Sequence, residues 1–102
     1  MVLTIENIIE DIDKDCKSLI LSSYNFEQTT INDLSKFKQL KSLCLSSKGI
    51  RTIYKYPPNL EYLKLDYNKI SYLFNLPKSL KYLNISNNFL LHLSIPLDIK
   101  LL

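Results

Sequence analysis

The feature that most constrains this chain is a skeleton of apolar residues that returns in register. Leu60-Glu61-Tyr62-Leu63-Lys64-Leu65-Asp66-Tyr67-Asn68-Lys69-Ile70 is followed, twenty residues on, by Leu80-Lys81-Tyr82-Leu83-Asn84-Ile85-Ser86-Asn87-Asn88-Phe89-Leu90. Twenty residues earlier the same places hold Leu40, Leu43, Leu45, Lys48 and Ile50, and a degenerate first copy holds Cys16, Leu19, Leu21 and Phe26. The spacing L-x-x-L-x-L-x-x-N-x-L is kept while the residues between it vary. A unit of this size cannot bury its apolar face alone, so at least about three must stack, each against its neighbours. Successive L-x-L segments then read as short parallel strands about 4.8 Å apart, with alternate side chains pointing into the stack and out of it.

The second halves of the units carry Ile53, Tyr56 and Pro57, then Leu73, Leu76 and Pro77, then Leu93, Ile95 and Pro96. Proline at these places forbids a long helix, so the outer side reads as extended, with single short turns. The fourth link shortens to nineteen residues in this reading, and Ile99 and Leu102 begin a fifth unit. The first link is longer and contains Ile31, Leu34 and Phe37 behind Thr30 and Asp33. That pattern predicts a short outer helix over 31–38. Before the repeats, Ile5, Ile8, Ile9 and Ile12 recur at helical spacing behind Thr4. They predict an amphipathic helix from Thr4 to about Asp15 that covers the apolar edge of the first unit as an N-terminal cap. The expected fold class is α/β: a repeat solenoid with a short parallel sheet, a mostly extended outer side and a capping helix, forming one domain over residues 1–102.

L-x-x-L-x-L-x-x-N-x-I/L followed by an L-P-x-x-L junction resembles the short, twenty-residue class of leucine-rich repeats over about residues 16 to 102. Tyr56-Pro57-Pro58-Asn59-Leu60, Leu76-Pro77-Lys78-Ser79-Leu80 and Ile95-Pro96-Leu97-Asp98-Ile99 are similar to the junctions of leucine-rich-repeat effectors secreted by bacterial pathogens. Similar short repeats occur in viral and protist proteins. The resemblance implies a curved solenoid that binds other proteins on its concave sheet. At this length no ligase domain of the kind some such effectors carry is expected.

Stacking the units gives four outward columns: Ser18, Ser42, Tyr62, Tyr82 and Leu101; Ile20, Cys44, Lys64 and Asn84; Ser22, Ser46, Asp66 and Ser86; Ser23, Ser47, Tyr67 and Asn87. The first half of this face is serine-rich and the second aromatic. Tyr62, Lys64, Asp66, Tyr67, Tyr82, Asn84 and Asn87 form the candidate partner-binding set, because rigid rings bury area at low entropic cost. The bland alternative is that the tyrosines stack on one another and only stabilise the sheet. Ile95, Leu97, Ile99, Leu101 and Leu102 form the second candidate, an apolar sheet edge that a second copy could cover in a homodimer.

Composition bears on what the surface meets. The net charge of +3 is mild and the lysines read as dispersed, so a nucleic-acid partner ranks below a protein partner. With one histidine, His92, and one glycine, Gly49, the chain offers no metal set, no base for a nucleophile and no phosphate-cradling loop, so no cofactor and no catalysis are expected. No apolar run reaches the ~18 residues of a membrane span, and the start has no basic leader. Cys16 sits at a leucine position and Cys44 on the opposite face. Both read as unpaired thiols of a cytoplasmic protein.

Overall fold

The computed structural model describes residues 3–91 and 98–102. Among them, helix α1 spans Ile5–Glu10, and seven strands follow: β1 Ser18–Ile20, β2 Thr30–Ile31, β3 Ser42–Cys44, β4 Thr52–Ile53, β5 Tyr62–Lys64, β6 Tyr82–Asn84 and β7 Lys100–Leu101. A single 3₁₀ turn, Leu21–Ser23, follows β1. Strands β1-β3-β5-β6-β7 form one parallel five-stranded sheet in that order, and β2 and β4 form a second parallel ladder. The result is a parallel-sheet β-solenoid of about four turns with little helix.

The register follows the repeat. Leu19, Leu43, Leu63 and Leu83 are successive ladder partners, and all four are buried, because the period of two along a strand sends every second side chain into the stack. Leu21, Leu45 and Leu65 make a second internal row, and Phe26, Ile50 and Ile70 a third. Behind them, Ile31 pairs with Ile53 across β2 and β4, and both are buried. At the proline junctions, Leu60 N–H donates to Pro57 O and Leu80 N–H to Pro77 O, one turn each, as proline's fixed φ favours. Each junction also holds the unit before it: Asn59 Nδ2 donates to Lys38 O at 2.7 Å and Ser79 Oγ to Leu60 O at 2.6 Å.

The turns after β3, β5 and β6 are built on two devices. One is a left-handed residue at the same repeat position, Ser47 (φ 59°), Tyr67 (φ 58°) and Asn87 (φ 59°). The other is the motif asparagine. Asn68 is buried, and its Oδ1 accepts the N–H groups of Lys48 and Ile50 at 3.0 and 2.9 Å while its Nδ2 donates to Leu45 O and Leu65 O, both at 2.9 Å. The amide therefore satisfies two turns at once, its own and that of the preceding unit. Asn88 repeats the arrangement, accepting from Ile70 N–H and donating to Leu65 O and Ile85 O. This explains how the second unit does without an asparagine of its own. Lys48 stands there instead, its Nζ donating to Tyr24 O at 2.6 Å and lying 4.8 Å from the centre of the Phe26 ring.

Three expectations are corrected. Helix α1 ends at Glu10, not near Asp15: Asp11 caps it with its N–H on Ile8 O, and the Lys14 ammonium satisfies Ile9 O and Glu10 O at its end and Ile12 O beyond it, where a further turn would need those carbonyls. Its start is as expected, with Thr4 Oγ1 accepting Asn7 N–H at 3.0 Å and with Ile5 and Ile8 buried. Residues 31–38 form no helix. Thr30 and Ile31 are spent on the β2–β4 ladder, Leu34 N–H donates across to Lys55 O, and Asp33 takes both Ser35 N–H and Ser35 Oγ in a side-chain turn. Finally, Leu101 is not in the outward column: Lys100 pairs with Tyr82 and Leu101 with Leu83. The step from Tyr82 to its partner Lys100 is thus 18 residues, two shorter than that from Tyr62 to Tyr82.

Candidate functional site

The outward face of the large sheet is where the variable residues collect. Tyr62 on β5 and Tyr82 on β6 are register partners, with ring centroids 6.2 Å apart and planes tilted by 40°. That separation lies within the range of about 4.5–7 Å over which aromatic rings interact. Tyr62 is half-buried and Tyr82 exposed. Lys64 and Asn84 are the next register pair on the same two strands. Asn84 Oδ1 accepts Ser86 N–H and Ser86 Oγ, so the Asn84 side chain is turned toward its own loop. Tyr67 and Asn87 follow at matching left-handed positions, Tyr67 being 60 % exposed. These six residues occupy neighbouring strands and their following turns, as the columns require.

Asp66 does not join them as an open charge. It is only 9 % exposed, and its Oδ1 accepts Ser46 Oγ from the preceding unit. The contact continues: Ser46 Oγ lies 3.4 Å from Cys44 Sγ, which lies 3.4 Å from Ser22 Oγ. A polar row thus runs from Asp66 to Ser22 across three units of the sheet. Burial pushes the Cys44 thiol up, but hydrogen bonds with Ser22 and Ser46 and the nearby Lys64 charge outweigh it, so this thiol stands below its ordinary pKa. At Cys16 burial and the Asp13 carboxylate act together and hold the thiol above it. Both cysteines are free and half-buried.

Of the sheet-edge candidates, Ile95 and Leu97 lie outside the described residues, as does His92. Ile99 is half-buried and packs against the core, whereas Leu101 and Leu102 are 47 % and 49 % exposed. Among the described residues, no three His, Cys, Asp or Glu side chains are grouped to hold a metal ion. None of the described helices is long and apolar enough to cross a membrane.

Sequence reasoning missed two surface pockets. One, of about 480 Å³, lies between α1 and the 31–37 segment, with Ile5, Ile9, Ile31 and Phe37 on its floor and Glu6 and Glu10 at its rim. The other, of about 350 Å³, adjoins β4 and is described below. Neither follows one repeat position, so the column pattern that found the sheet face carried no signal for them. No protein family, curated protein or solved structure matches the chain significantly.

Proposed function

We propose that the chain is a non-enzymatic interaction module of the short leucine-rich-repeat kind, whose concave sheet binds a protein partner through Tyr62, Lys64, Tyr67, Tyr82, Asn84 and Asn87. The observation that carries this reading is the Tyr62–Tyr82 pair, two rings held 6.2 Å apart on adjacent strands of a hydrogen-bonded sheet. Such a pair presents aromatic area whose position is already fixed, so little side-chain freedom remains to be lost on binding. Asp66 is engaged with Ser46 of the preceding unit and is not counted among the contacts. In this reading α1 is the N-terminal cap. Its burial of Ile5 and Ile8 supports that role, as does Gln28, which accepts Ile5 N–H and donates to Glu6. An intracellular setting is supported by the two free thiols.

The test is an affinity capture with the wild type beside a Tyr62→Ala/Tyr82→Ala variant, both shown by circular dichroism to be folded. Proteins retained by the wild type and lost with the variant are the expected result. Equal retention by both would remove the tyrosine pair from the reading. A second reading, self-association through β7, rests on the exposure of Leu101 and Leu102 beside the outermost strand. Light scattering at about 100 μM, a concentration at which even a weak dimer of about −6 kcal/mol is well populated, separates the two.

A further inference from the structure

The pocket beside β4 combines two chemistries that the sheet face does not. Arg51 and Lys69 supply cations, Ser71 a hydroxyl, and Tyr72, Phe74 and Phe89 aromatic rings, within about 350 Å³. No carboxylate is among the described residues lining it. The rings are open to solvent: Tyr72 is 54 %, Phe74 39 % and Phe89 63 % exposed. Tyr54, one unit before Phe74 and 49 % exposed, extends the strip, with ring centroids 5.8 Å apart. Exposed rings of this size in one patch are a standing cost in water unless a ligand covers them.

Formal charge is divided unequally along the sequence, although the lysines themselves stay dispersed. Residues 1–33 carry seven carboxylates against two lysines, a net −5, whereas residues 34–102 carry eleven cations against three carboxylates, a net +8. Two of those three carboxylates are engaged: Glu61 lies between Lys41 and Lys81 at 3.7 and 3.8 Å, and Asp66 accepts from Ser46. Among the described residues lining the pocket, no carboxylate offsets Arg51 and Lys69.

Cations for a phosphate beside rings for a base are the two requirements of sequence-tolerant single-strand binding. We propose that this pocket seats a nucleotide of a single-stranded nucleic acid, with Arg51 and Lys69 holding the backbone phosphate and Phe74 and Phe89 taking the base on their faces. Tyr54 then offers a ring for a neighbouring base. The site lies on the β4 side of the solenoid, apart from the tyrosine pair of the large sheet, and stands or falls independently of the protein-binding reading.

The experiment is fluorescence anisotropy with a labelled dT decamer and an abasic decamer of equal phosphate count, at 50 and 200 mM salt. The expected result is binding of the dT decamer that weakens with salt, and weaker binding of the abasic strand. An Arg51→Gln/Lys69→Gln variant should flatten the salt slope by about 1.4, the share of two phosphate contacts on a single strand. Phe89→Ala, at an exposed position, should weaken dT binding about ten-fold and leave abasic binding unchanged. Lys41→Gln/Lys81→Gln, removing as much charge elsewhere, should leave the pocket's share of the slope in place. The proposal is overturned if abasic and dT strands bind equally, or if the pocket and control variants behave alike. It is equally overturned if no binding occurs at 50 mM salt while light scattering finds a salt-sensitive dimer that the Arg51→Gln/Lys69→Gln variant abolishes, for then the acidic N-terminal third of a second copy is the occupant.

Discussion

At the scale of single residues, Asn68 ties two successive units together through one side chain. Its side chain satisfies the N–H groups of Lys48 and Ile50 and the carbonyls of Leu45 and Leu65, groups lying in two successive units. Replacing it by alanine removes the partner of Lys48 N–H, Ile50 N–H and Leu45 O, at about 1–3 kcal/mol for each group left unsatisfied, while Leu65 O keeps its bond from Asn88 Nδ2. Asn68→Ala is therefore expected to lower unfolding free energy by at least about 3 kcal/mol, and Asn88→Ala, whose side chain is half-buried and closer to water, by distinctly less. Urea titration of the two variants checks the order. Tyr67 presents the opposite case. It holds a left-handed φ of 58° that a tyrosine adopts at a cost of about 1–2 kcal/mol, and asparagine tolerates far better. Tyr67→Asn should raise the melting temperature, and if Tyr67 contacts a partner the same change should weaken binding. The two thiols give a pH-dependent contrast. Cys44 has its pKa lowered on folding, so its contribution to stability is present above the unfolded value and lost as pH falls through the folded one. Cys16 has its pKa raised, so its contribution is present below the unfolded value and lost as pH rises through the folded one. Because the thiolate is the nucleophile, iodoacetamide at pH 8 should label Cys44 before Cys16. Peptide mass spectrometry at short times reads this directly, and preferential labelling of Cys16 would contradict the hydrogen-bonded row.

At the scale of elements, α1 depends on its ends. Six residues are too few for a helix to persist by propensity, so Thr4 Oγ1 on Asn7 N–H at one end and the Lys14 ammonium on the last carbonyls at the other do much of the holding. Thr4→Ala should cost about 1 kcal/mol and raise amide exchange across Ile5–Glu10 before it affects the sheet. The same element marks how far the sequence could be read. The L-x-x-L-x-L spacing carried the strands, their partners and the Tyr62–Tyr82 adjacency, because each repeat step maps onto one ladder step. It failed over 31–38, where threonine, aspartate and three spaced apolar residues suit a capped helix and an extended strand with an aspartate turn equally well. Only the Leu34 N–H to Lys55 O bond, made to a residue in the next unit, decides between them. It failed again at Leu101, since the link read as nineteen residues is eighteen, and that one-residue slip turns Leu101 from the outward to the inward face with no local residue to announce it. The β4 pocket escaped notice for a related reason. Arg51, Lys69 and Phe89 come from three different units and meet only after the stack has formed.

At the scale of the whole molecule, the stack is unequal along its length. The inward column runs from Leu19 at 8 % exposure through Leu43, Leu63 and Leu83 at 0 % to Leu101 at 47 %, and the partner row ends with Ile85 half-buried. At the β1 end, α1 contributes Ile5 and Ile8 to the same core, while Leu101 and Leu102 at the β7 end stand about half in water. In a solenoid each unit is stabilised mainly by the neighbours it touches, so local opening free energy should follow this burial. Amide exchange tests it residue by residue. Leu45 and Leu65, whose N–H groups bond to Lys64 O and Asn84 O between well-covered units, should be the slowest in the molecule. Tyr82 should be intermediate, and Lys100 and Leu102, bonded to Lys81 O and Leu83 O, should exchange orders of magnitude faster. Such a gradient means that opening begins at β7 and proceeds toward β5 while α1 and the first two units stay closed. The Tyr62–Tyr82 surface would then sit where the stable part of the sheet gives way to the part that opens. If all of these amides exchange with one common free energy, the chain opens all at once, and the neighbour-by-neighbour account of its stability is wrong.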